Sequence, residues 1–182
     1  SPWGLNGSLN GSLDDIRIYN RALSDSEVTL LYHEGWSSNL IHVNDKWNMI
    51  SIPILTSNPI KDSLFTTARS NAFKFLSGSG YVAEDTLENG IGYWLKFPSS
   101  QFIPMSGMPI YVDTIPVVQG WNLIGSISGG VLTSDIATEP TGIIGSDFYG
   151  YENGYKVSTV LAPGKAVLKG LHNDIGVVDS MY

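Results

Sequence analysis

The sequence predicts an all-β protein: two pseudo-repeated antiparallel β units that form a sandwich or barrel-like domain, preceded by a shorter β segment. Three observations predict it. Charged residues make up only 15% of the 182, against roughly 25% in typical soluble domains, while Gly (20), Tyr (9) and Trp (5) are plentiful. Several runs alternate apolar and polar residues with a period of two, the spacing of a half-buried strand. A set of aromatic and glycine positions then recurs further along the chain, the mark of a duplicated unit.

The same composition excludes whole classes of function. Formal net charge is −7, and no basic stripe is present to neutralise phosphates, so nucleic acid is not an expected partner. The chain has no cysteine, which excludes a disulfide scaffold, a thiolate zinc site and a cysteine nucleophile. No run of about 18 apolar residues is present, so no membrane insertion by a helix is expected. The first residue is Ser1, in mid-pattern and without a signal peptide. The expectation is a piece of a longer protein, exported to the cell surface or beyond, with neighbouring domains as partners.

Taken in order, residues 1–12 carry the turn formers Asn6-Gly7 and Asn10-Gly11. The run from Leu13 to Tyr19 alternates, with Ile16 and Ile18 on one face, and predicts a strand. Ser24 with Glu27 forms a capping box for a short helix over about 25–33, which Gly35 ends. Residues 37–45 read as a linker, and a new domain spans 46–182.

That domain repeats itself. Lys46-Trp-Asn-Met-Ile-Ser-Ile-Pro53 answers to Gly120-Trp-Asn-Leu-Ile-Gly-Ser-Ile127, with Trp47 and Trp121 74 positions apart. At the same offset Tyr81 meets Tyr155, Leu87 meets Leu161, and Gly90 meets Gly164. Phe73-Lys-Phe75 corresponds loosely to Phe148-Tyr-Gly-Tyr151, and Gly92-Tyr-Trp-Leu-Lys96 to Ala166-Val-Leu-Lys169 with a small gap. The units are about 46–118 and 119–182, and fusion into one domain is expected because some 74 residues make a small core. A Trp buries about 150–250 Å², so Trp47, Trp94 and Trp121 are expected inside. Gly90 and Gly164 follow turns, where a positive φ or a close backbone approach is expected.

Two resemblances follow. The string Gly11-Ser-Leu-Asp-Asp-Ile-Arg-Ile-Tyr-Asn-Arg-Ala-Leu-Ser-Asp-Ser-Glu-Val28 with Leu31-Tyr32 resembles the closing segment of laminin-G-like, concanavalin-type jelly-roll domains. This implies that residues 1–36 are a C-terminal remnant of such a domain. The resemblance implies a neighbouring carbohydrate- or surface-binding domain, often with Ca²⁺, and makes Asp14 and Asp15 candidate ligands of a structural Ca²⁺. Ca²⁺ takes six to eight oxygens, most of which the rest of that domain would supply; pairing of either Asp with Arg17 is the competing account. Residues 46–170 resemble a Trp-Asn-Leu-Ile-Ser module that recurs in large secreted proteins of Bacteroidetes- and Ignavibacteria-like bacteria. The second copy departs from it, with Gly164-Lys-Ala-Val-Leu-Lys-Gly170 in place of the usual Gly-Tyr-Trp.

No catalytic residue is assigned. Glu84-Asp85 are adjacent, whereas glycosidase carboxylates face each other across a cleft. His33, His42 and His172 form no metal-binding spacing. Neither Ser77-Gly-Ser-Gly80 nor Gly125-Ser-Ile-Ser-Gly129 makes a nucleophile elbow. The best candidate ligand site is a sugar platform of Tyr149, Tyr151 and Tyr155, whose ring faces would take sugar C–H groups, with Glu152 and Asn153 to bind hydroxyls. Cross-strand ring packing competes with it. The leading expectation is a non-catalytic accessory or spacer module of a secreted or cell-surface bacterial protein, with polysaccharide as the candidate ligand. A purely structural or adhesive module is the first alternative, and a hydrolase with an unrecognised site the second.

Overall fold

A computed structural model describes residues 17–24, 28, 40–171 and the backbone of 176–178. It is all-β. Strands β1 (Leu40–Val43), β2 (Lys46–Ile50) and β3 (Ile54–Leu55) lead to a single helical turn, α1 (Lys61–Leu64). Strands β4 (Ala72–Leu76), β5 (Gly80–Glu84), β6 (Tyr93–Phe97), β7 (Gln101–Pro104) and β8 (Met108–Pro109) follow. The second half holds β9 (Ile115–Val117), β10 (Gly120–Ile124), β11 (Val131–Leu132), β12 (Ile144–Tyr151), β13 (Tyr155–Val157), β14 (Val160–Leu161), β15 (Val167–Leu171) and β16 (Gly176–Val178).

Each half builds one four-stranded antiparallel sheet, and the strand order is the same in both. The first runs β2-β6-β4-β5 and the second β10-β15-β12-β13. Each half also has two two-stranded ribbons, β1 with β7 and β3 with β8 in the first, β9 with β16 and β11 with β14 in the second; β1–β7 and β9–β16 correspond. The repeated element therefore starts one strand before the Trp-Asn motif. Residues expected to be a linker hold β1, because Ile41 and Val43 are buried in the first core. The expected gap between Gly92–Lys96 and Ala166–Lys169 is absent: β2 pairs with β6 and β10 with β15 in the same register, Trp47 opposite Lys96 and Trp121 opposite Gly170.

Alternation along the strands divides each sheet into two faces. Tyr93, Leu95 and Phe97 of β6 enter the first core with Ile50, Phe65 and Ile103. Val167 and Leu171 of β15 enter the second with Ile124, Phe148 and Leu161. On the opposite faces Met49, Leu123 and Ala166 form a third, smaller cluster, flanked by Phe75, Trp94, Tyr151 and Leu168. Here the two halves meet.

The meeting is two-fold in pattern. Isolated bridges join Ile50 to Lys165 and Ile124 to Ile91. The Gly92 N–H donates to Leu123 O at 2.9 Å, and Ala166 N–H to Met49 O at 3.2 Å. Ser51 N–H donates to Gly164 O, and Gly125 N–H to Gly90 O. Each pair maps onto the other through the 74-residue offset, the signature of a self-complementary interface.

Two motif residues gain a physical reason here. The Asn48 side chain accepts from Asn44 N–H and donates to Asn44 O and Lys46 O, at 2.9, 2.9 and 3.1 Å. Asn122 repeats this with Val118 and Gly120. The Asn thus staples the tight turn leading into each Trp-Asn strand, where Lys46 and Gly120 have φ of 69° and 86°. Gly90 and Gly164 have φ of 73° and 74°, and a Cβ on Gly164 would stand 2.4 Å from Ile41 Cγ1. Gly90 meets Ile115, the counterpart of Ile41, in the same way.

The expected burial of the tryptophans is corrected. Trp47 is 39% and Trp121 44% exposed, and Trp94 is half-buried. They lie on the sheet faces opposite the two main cores, where neighbouring rings cover only part of them. Ahead of β1, residues 17–24 belong to no strand, so the strand expected through Tyr19 does not extend over 17–19. Ile18 there is 93% exposed, and an uncovered apolar face does not hold a strand. Val28 is helical and its N–H donates to Ser24 O at 3.0 Å. The rest of the expected strand and helix lies outside the described residues.

Replacing Asn48 by Ala removes three part-buried hydrogen bonds to the turn and is expected to lower stability by about 1 kcal/mol or more, read by urea denaturation. Lys46→Gly, which relieves a left-handed residue, is expected to leave stability equal or higher. Gly164→Ala, with both a strained φ and a steric clash, is expected to be the most damaging of the three.

Candidate functional site

Alternation on β2, β4, β5, β6, β12 and β13 brings six rings to one place. Trp47, Phe73, Tyr81, Trp94, Tyr151 and Tyr155 line a groove of about 440 Å³. Trp94 is at its centre, edge-on to Tyr151 at 4.7 Å, to Tyr155 at 6.3 Å and to Trp47 at 6.5 Å between ring centroids. Phe73 packs against Trp47 at 6.2 Å, and Tyr151 against Tyr155 at 5.5 Å. Edge-to-face stacking holds each ring by its neighbours and leaves part of its face to solvent. Tyr81 and Tyr155, 74 positions apart, line the groove from opposite halves. Burial first, then Tyr81, raises the Tyr155 pKa above the ordinary phenol value.

The sequence-derived platform is therefore divided. Tyr151 and Tyr155 lie in the groove. Tyr149 does not; it packs on Trp121 at 6.2 Å in the other half. Asn153 occupies the hairpin turn with φ of 55°, and Glu152 holds Lys156 at 3.4 Å beside an adjacent pocket. Sequence reasoning missed Trp47, Phe73, Tyr81 and Trp94 as partners of the second-half tyrosines. The repeat was the available signal, since it puts Tyr81 and Tyr155 at equivalent positions of a two-fold pair, and both line the groove.

The second half lacks the ring at the centre of this groove. Phe73 and Trp94 are paired in the first sheet, and Tyr149 and Leu168 hold the same relation in the second. Leu168 thus stands where the first half has Trp94.

A polar pocket of about 360 Å³ adjoins the groove and shares Tyr151 with it. Lys165 lies in it and donates to His42 O at 2.6 Å. Burial pulls the Lys165 pKa below its ordinary value of 10.5, with Glu152 acting in the opposite sense. The His42 ring bonds Ser100 Oγ at 3.1 Å and stacks on Phe102; burial, then Lys165, lowers its pKa.

Other candidates resolve into structure. Glu84 pairs with Lys74 at 2.8 Å. Ser51 Oγ donates to Lys165 O and accepts from Ser126 N–H and Oγ, while Ser126 Oγ accepts from Gly164 N–H. Ser128 Oγ donates to Pro53 O. These serines are occupied by backbone at the junction. Asp14, Asp15, His33 and His172 lie outside the described residues. Among the described residues no three His, Asp or Glu side chains gather as a metal site, and no helix is long and apolar enough to cross a membrane.

The chain is similar to glycogen synthases of Thermotoga petrophila and Thermotoga maritima, at 23% identity over 148 residues. The alignment covers 81% of this chain and 27% of each relative, so the chain spans about a quarter of the length of the curated relatives it matches. No family model matches the chain, and no solved structure matches it.

A lysine with a lowered folded pKa opposes folding below that pKa, and the penalty is relieved as pH rises towards the unfolded value of 10.5, because the unfolded chain then holds more protons. Measured against Lys165→Met, the parent is expected to gain relative stability as pH rises from neutral towards 10.5, followed by thermal melts across that range.

Proposed function

We propose that this chain is a non-catalytic, carbohydrate-binding accessory module of a secreted or cell-surface protein. The aromatic groove is its binding site. The observation that carries this reading is the convergence of six rings from both halves on one groove. Such a lining suits a ligand with apolar C–H faces and peripheral hydroxyls. Sugar rings stack on Trp94 and Trp47, and the Tyr81 and Tyr155 hydroxyls at the groove supply hydrogen bonds. The exposure of Trp47, Tyr81 and Tyr155, at 39%, 51% and 52%, supports a surface that receives a ligand rather than one sealed in folding. The structural serines and the ion-paired Glu84 support the non-catalytic part of the reading.

Polysaccharide pull-down and affinity electrophoresis test it, with neutral and acidic plant, algal and bacterial polymers. Glycogen belongs in the panel because the matched relatives are glycogen synthases. Trp94→Ala is expected to weaken binding roughly tenfold or more, as loss of a central aromatic anchor does. Trp121→Ala, outside the groove, is expected to leave it unchanged. Failure of every polymer to bind would sink the reading and favour a structural or adhesive module.

A further inference from the structure

The polar pocket beside the groove has a twin in the other half. His42, Asn44, Glu152 and Lys165 line the first. Pro116, Val118, Leu76 and Ile91 take their places in the second. The correspondence follows the strand pairing: His42 and Asn44 flank Val43 as Pro116 and Val118 flank Val117, and Lys165 and Ile91 make the two junction bridges. The twin has apolar side chains at these four positions and takes its own polar lining from Lys74, Ser77, Ser79 and Asn122, so the fold does not require a lysine at the place of Lys165.

Lys165 is the costly member of that set. Its ammonium is withdrawn from water and donates to the His42 carbonyl at 2.6 Å. Among the described residues no carboxylate lies within ion-pair distance of it. An ammonium has three N–H donors, and a backbone carbonyl neutralises no charge. Lys156 brings a second positive charge to the pocket and Glu152 one negative, so a neutral His42 leaves it one positive charge in excess. Tyr151 lines both this pocket and the groove, so a ligand stacked beside Trp94 reaches Lys165 without leaving the surface.

We propose that this pocket is a subsite for a carboxylated sugar, a uronic acid unit of a polysaccharide whose neighbouring ring occupies the aromatic groove. Lys165 meets the carboxylate, and the Glu152 carboxylate accepts from ring hydroxyls. The proposal rests on the carbohydrate reading of the groove and names the class of sugar.

Calorimetric titration of the full chain with galacturonate, guluronate, mannuronate and glucuronate oligomers, each beside its methyl ester, separates the two claims. The ester keeps the rings and removes the charge. At least one acid is expected to bind about tenfold more tightly than its ester, the size of a charge-assisted contact. Added salt is expected to shrink that ratio. Lys165→Met is expected to abolish the ratio while leaving ester binding intact. Equal binding of acid and ester, both weakened by Trp94→Ala, overturns the subsite and leaves the groove standing. Retention of the acid preference in Lys165→Met overturns it as well. Absence of binding by every acid, ester and neutral polymer overturns both readings.

Discussion

The structure depends on one self-complementary seam. Along it, Ile50 meets Lys165 as Ile124 meets Ile91, and backbone hydrogen bonds repeat in pairs about an approximate two-fold axis. Each half has its own core, but the second face of each four-stranded sheet is apolar near the axis. Met49, Leu123 and Ala166 close that face only when both halves are present. Ser51 and Ser126 fill what backbone pairing leaves polar there, with every hydroxyl engaged. Burying an unpaired hydroxyl at such a seam would cost more than the contact returns, so these serines belong to folding.

Groove and pocket are by-products of the seam. Strands β12 and β13 deliver Tyr151 and Tyr155 to the rings of the first sheet because the axis passes close by, and Tyr81 answers Tyr155 across it. Strict symmetry would give two grooves. Divergence at Trp94 against Leu168 removes the central ring from the second, and divergence at Lys165 against Ile91 gives one flanking pocket a lysine ammonium at the bridge position. The duplication thus carries its own control: a feature present in one half and absent from the other is not needed to fold that half.

Much of the fold was legible in the chain. The Trp47–Trp121 offset announced two units, and turn residues marked the hairpins. The tryptophans misled because a ring on a strand with period two reads the same whether its face is covered or half-open. The role of Asn48 was invisible for a related reason: its partners lie two and four residues back, in a turn whose geometry pairing does not reveal. Strand β1 was hidden in a short apolar run, Leu40 to Val43, flanked by polar residues. Of the site, Tyr151 and Tyr155 were found by local aromatic density. Trp47, Phe73 and Trp94 were not, since their approach to those tyrosines is set by the tertiary axis.

An interface in which every contact is answered by its equivalent has a further meaning for how such a molecule arises. A gene for one half alone would encode a subunit obliged to find a second copy of itself, its stability tied to concentration. Joining the copies head to tail makes that encounter intramolecular and raises the effective concentration of each partner for the other. It also frees the copies from identity. A homodimer changes both surfaces with every mutation, whereas a tandem chain can specialise one side while the other keeps the architecture intact.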